Sequence, residues 1–86
     1  PPEEVEIVTE AARTACSSCD MKVAQIRTRE SGRQRFVYVT LEVPGDWTVR
    51  RSHDVADLVE ESVDAALPGT VTFVHIEPAA EVAAPV

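Results

Sequence analysis

Two histidines, a carboxylate and a cysteine pair are the residues of this 86-residue chain whose types and spacing suit metal chemistry. Imidazole is the commonest protein ligand for transition metals. His53 falls in the first half of a helix-like stretch, and His75 on a short apolar strand that closes as His75-Ile76-Glu77-Pro78. Residues i and i+2 of a strand share a face, so the Glu77 carboxylate projects beside the His75 ring. Asp57 and Glu60 follow His53 at i+4 and i+7, on the same side of the helix. Cys16 and Cys19 add a single Cys-x-x-Cys pair. A structural disulfide framework needs more cysteines and a secreted context, so the pair is expected as reduced thiols in a cytosolic setting. Three readings stay open for it: loop thiols without a role, metal ligands, or a redox pair.

These residues must be positioned by elements that the pattern also predicts. Val5, Val8, Ala12 and Ala15, with Glu3 and Glu4 at the start, predict a helix over 3–16. Strands are expected over 22–29 and 35–43, joined at Glu30-Ser31-Gly32. In the second, Val37, Val39, Leu41 and Val43 take one face and should cover the core. Phe36, Tyr38, Thr40 and Glu42 take the other, which a small sheet leaves open to a partner. Thr48 is an N-cap for a second helix, whose apolar stripe runs Val49, Ser52, Ala56, Val59, Val63, Leu67, with His53 at its margin. Pro68-Gly69 stops that helix, and a third strand covers 70–77. The order α-β-β-α-β, with a right-handed strand–helix–strand crossover, predicts an α+β two-layer sandwich. Its three-stranded mixed sheet carries both helices on one face. The start of the first strand and the ends of the other two then meet at one edge, near Cys19, Thr40 and His75-Glu77.

Composition narrows the function classes. A domain this small buries roughly 60–65% of its extended surface, so dimerisation or metal binding would add useful stability. The chain is 44% hydrophobic and 27% charged, as soluble domains are. A net charge of −7 argues against nucleic acid and suits cations. Arg27, Arg29, Arg33 and Arg35 cluster at the hairpin and are read as a solvated end, with Arg50 and Arg51 a second cluster. No apolar run reaches the ~20 residues of a membrane span. The start at Pro1-Pro2, without an initiator methionine, is read as a piece of a longer chain, with 1–78 the domain and 79–86 a flexible tail. No nucleophile–base constellation or phosphate loop stands out, so an enzyme is not expected.

Four stretches together carry a resemblance: Ile26 to Gly32, Phe36 to Glu42, Ser52-His53-Asp54-Val55-Ala56-Asp57, and Val74-His75-Ile76-Glu77-Pro78. In this order and spacing they resemble the cytoplasmic C-terminal domain of cation diffusion facilitator transporters, over about residues 3 to 78. The resemblance implies a ferredoxin-like sheet, and a homodimer packed through the open sheet face. It also implies a parent with a six-helix membrane domain that exchanges protons for divalent cations. In that family metal binds between protomers and draws a V-shaped dimer together. His53, His75 and Glu77 match family metal positions. The strand histidines of the zinc-transporting members are replaced here by Ala24 and Thr40, and a Pro-Gly turn by Ser17-Ser18-Cys19-Asp20-Met21.

Tetrahedral zinc wants four ligands, so His53, His75 and Glu77 leave a place for water, a partner-chain group, or a thiolate from Cys16 or Cys19. The expected ion is a divalent transition metal, zinc first, with iron, manganese or copper behind it. Trp47 is expected as a lid at the sheet edge, and Phe36, Tyr38 and Phe73 as interface core. The implied role is a metal-sensing dimerisation domain of an efflux transporter. The competing roles are a metal-independent docking module and a small soluble metal carrier built on the cysteines.

Overall fold

The computed structural model describes residues 2–79, in the order α1 (Pro2–Thr14), β1 (Lys22–Ser31), β2 (Gln34–Val43), α2 (Val49–Ala66) and β3 (Thr70–Pro78). Pro2 opens α1 at a position where its missing N–H costs nothing, and Glu3 and Glu4 face the positive end of the helix dipole. The helix ends at Thr14, two residues before the expected boundary.

β1 and β2 form an antiparallel hairpin whose last pair is Ser31 with Gln34. Gly32 supplies the positive φ of 62° that a two-residue turn demands at its first position. α2 then carries the chain over to β3, which lies parallel to β2, so β2 is the central strand. Thr48 caps α2 as predicted, its hydroxyl accepting the Arg51 N–H at 3.0 Å. Thr48→Ala is expected to cost about 1 kcal/mol. In urea unfolding this lowers the midpoint and leaves the slope unchanged.

The core lies between the helices and the inner face of β2. Val8, Ala11 and Ala12 of α1 and Val55, Val59 and Val63 of α2 meet Val37, Val39, Leu41 and Val43. Strict alternation along β2 delivers all four inward side chains. The buried stripe of α2 is rotated from the expected one, because Val49 is 87% exposed. As the first residue of the helix it lies outside the core, and Val55 takes the buried place instead. Between the helices the Ser62 hydroxyl donates to the Ala11 carbonyl at 2.7 Å.

Two further departures matter for the site. β1 carries a bulge between Val23 and Gln25, which leaves Ala24 without a partner in the register. Arg35 is not part of a solvated hairpin end: its guanidinium reaches Glu4 in the first turn of α1, with Glu30 at 3.5 Å. Arg27, Arg29 and Arg33 are exposed as expected. Ala79, expected in the tail, donates its N–H to Val43 at 2.7 Å, and residues 80–86 of that tail lie outside the described residues.

Candidate metal centre

β3 is an edge strand, and its alternation sends candidate groups to two sides. Val71, Phe73, His75 and Glu77 are exposed on the open face, while Thr72, Val74 and Ile76 lie under the helices. The i, i+2 relation joins His75 and Glu77 as expected, with Nε2 3.2 Å from Oε1. On α2, one turn joins His53 Nε2 to Asp57 Oδ2 at 3.3 Å. His53 and Asp57 border a pocket of about 390 Å³ together with Trp47, Ala56, Val74 and Ile76. Both imidazoles are well exposed, with side-chain values of 69% for His53 and 67% for His75.

The two histidine pairs therefore straddle the β3 edge, one on its helix side and one on its open side. Among the described residues, no three His, Cys, Asp or Glu side chains converge on one point. Within one chain the candidate ligands thus stand as separate pairs, His53 with Asp57 and His75 with Glu77. An imidazole held by a carboxylate at one ring nitrogen keeps its other nitrogen for an ion, the usual arrangement around metal-bound histidine. Each pair so fits part of a coordination shell, and neither encloses an ion alone.

Cys16 and Cys19 depart from the expected reduced thiols. The structure joins them as a disulfide, their Cα atoms 5.4 Å apart, in the turn after α1. Bonded sulfurs hold no thiolate, so in this form they add no ligand. Cys19 also packs against the core beneath the helices, whereas His75 lies on the open face.

The open face is graded along its length. Arg29, Phe36 and Val71 share one rung of the sheet, and Arg27, Tyr38 and Phe73 the next. Gln25, Thr40 and His75 form the third, and Lys22, Glu42 and Glu77 the last. Phe73 stacks with Tyr38 at 5.3 Å between ring centroids and with Phe36 at 6.5 Å. Thr40 is thus the lateral neighbour of His75, and Ala24 sits in the bulge. That bulge was readable from Val23 and Ile26, apolar residues three apart that a period of two cannot place on one face. Trp47 is half-buried against the core, with the Arg51 guanidinium 4.3 Å from its ring.

Comparison with known proteins agrees with this architecture. A Synechocystis transporter is 36% identical over 53 residues, covering 62% of this chain and 17% of its own length. The cation-efflux pump FieF of Klebsiella pneumoniae is 34% identical over 59 residues, covering 69% of this chain and 20% of the pump. The chain thus spans about a fifth of the length of these relatives. A structure of the proposed zinc transporter CzrB superposes with a TM-score of 0.83 at 31% identity, over 93% of this chain and 98% of that one. A CzrB structure in its zinc form gives 0.83 at 32% identity, over 92% and 89% of the two chains. The MamM C-terminal domain shares the fold at 19% identity, with a TM-score of 0.78 over 90% and 96%. The family described as the cytoplasmic domain of cation efflux proteins matches residues 1–79, and the chain belongs to that family as a ferredoxin-like cytoplasmic domain.

Proposed function

We propose that this domain senses divalent cations for an efflux transporter, by binding them between two copies of itself and so favouring a closed dimer. The observation that carries the reading is the pair of exposed, carboxylate-held imidazoles flanking the β3 edge, each an incomplete shell. A second chain supplies the missing donors. His53 and His75 offer Nδ1, Asp57 and Glu77 orient the rings, and Glu77 keeps a second oxygen for the ion. Zinc suits this nitrogen and oxygen set, and CzrB, a proposed zinc transporter with a zinc-form structure, is among the relatives. Iron, manganese and copper remain alternatives for the same donors.

Charge supplies the driving force for regulation. Each chain carries −7, so two copies repel, and an ion held between them offsets that repulsion only in the closed form. An ion shifts the equilibrium by its difference in affinity for the two forms. The rest of the parent, a membrane domain that moves the cation, then reads the closed state.

Zinc titration by calorimetry, paired with small-angle scattering, tests the proposal. The chain is expected to bind zinc and become more compact as a dimer. His53→Ala/His75→Ala should weaken binding by about tenfold or more. If neither binding above background nor compaction appears, the sensing role is lost. A second reading, a metal-independent dimerisation module, draws on Ala24 and Thr40 at the family histidine positions. It requires a dimer of unchanged shape and affinity with zinc, and in the double variant.

A further inference from the structure

The metal-sensing role leaves the Cys16–Cys19 pair unused. The pair sits in a turn closed by the Cys19 N–H donating to the Cys16 carbonyl at 3.1 Å. Both cysteines are half-buried, and Ser17 and Ser18 between them are exposed, so small thiols can reach the bond.

A staple is a poor explanation of this disulfide. Stabilisation by a cross-link grows with the loop it closes, and this one joins residues only 3 positions apart. The core meanwhile is built from ten buried aliphatic residues, none of them a cysteine. A catalytic thiol-exchange role fits no better. Reactive Cys-x-x-Cys pairs lie where a helix N-terminus or a cation favours the thiolate, whereas this pair follows the C-terminal end of α1 and precedes Asp20. What remains is a bond with little structural benefit, in reach of solvent, on a domain of the cytoplasm, where such bonds are normally open.

We propose that Cys16 and Cys19 form a redox-controlled site for a soft cation, separate from the histidine pairs. Reduced, the turn presents two thiolates to a thiophilic ion such as Zn²⁺ or Cu⁺. Oxidised, as in the structure, it presents none. The exchange partner is a low-molecular-weight thiol of the glutathione class. Its thiolate attacks one sulfur, the other cysteine leaves as a thiolate, and a second thiol resolves the mixed disulfide. The protein gains two electrons and two protons, and one small disulfide is released. The site is separate from the His75 shell of the same chain: among the described residues no third ligand-type side chain joins His75 and Glu77, and Cys19 packs against the core whereas His75 stands on the open face. Oxidation thus removes one cation site and leaves the other in place.

The test equilibrates the chain in mixtures of reduced and oxidised glutathione, then alkylates it for mass measurement, with Cd²⁺ as the probe ion. Both cysteines are expected to become alkylated together as the mixture turns reducing. The reduced chain should show sulfur-to-cadmium charge-transfer absorption, and the oxidised chain and Cys16→Ser/Cys19→Ser should show none. His53→Ala/His75→Ala should keep that absorption while losing zinc-driven compaction, so failure at either site reads out separately. Cysteines that stay alkylatable in fully oxidised glutathione would overturn the proposal. So would a reduced chain without cadmium–sulfur absorption.

Discussion

Replacing Leu41 with Ala is expected to destabilise the domain by about 2–5 kcal/mol. Leu41 is the largest of the fully buried side chains, at 0% exposure in the central strand. It stands among valines and alanines, whose short side chains cannot swing into the space it would leave. For a domain of this size the loss corresponds to a fall in melting temperature on the order of 10–30 °C. Domains of this kind hold only about 5–15 kcal/mol in total, so a large part of the molecules should unfold on modest warming. Val49→Ala is the control, since Val49 is 87% exposed and its loss should stay within about 0.5 kcal/mol. Calorimetric melting of both variants decides the matter. Equal shifts would mean that β2 is not the floor of the core.

The features legible in the sequence are those set by local chemistry. β2 alternates without interruption, so a period of two identifies both its faces, and Thr48 declares the start of α2 through a single hydroxyl. The pairs His75–Glu77 and His53–Asp57 also follow from spacing alone. The layering of helices on a mixed sheet was legible too, whereas the side-chain meetings that this layering creates were not. That Arg35 turns inward to Glu4 depends on α1 lying over the hairpin, 31 residues away in sequence. That the two histidine pairs straddle an edge strand depends on α2 lying over Val74 and Ile76 while His75 faces outward. Spacing along the chain does not encode on which side of the sheet each residue stands. The cysteines are a third case, because their covalent state is set by a redox equilibrium that spacing does not encode.

The open sheet face carries the strongest prediction about assembly. Phe73→Asp is expected to weaken the proposed homodimer by about 10³-fold, with little change in monomer stability. Phe73 is 49% exposed and stacks between Tyr38 and Phe36, so the monomer leaves an aromatic patch in water at the middle of this face. Buried aromatics at an interface centre contribute about 2 kcal/mol or more each. In a two-fold interface each substitution occurs twice, for about 4 kcal/mol, or nearly three decades in the dissociation constant. The new carboxylate adds to chains that already carry −7, so repulsion acts in the same direction. Arg27 and Arg29 flank the aromatic patch on β1, while Glu42 and Glu77 lie at the opposite end of the face. Sedimentation equilibrium with and without zinc, with circular dichroism to confirm folding, makes the measurement. A Phe73→Asp chain that stays dimeric at wild-type affinity would move the interface off this face. It would also leave the histidines without the second chain on which sensing depends.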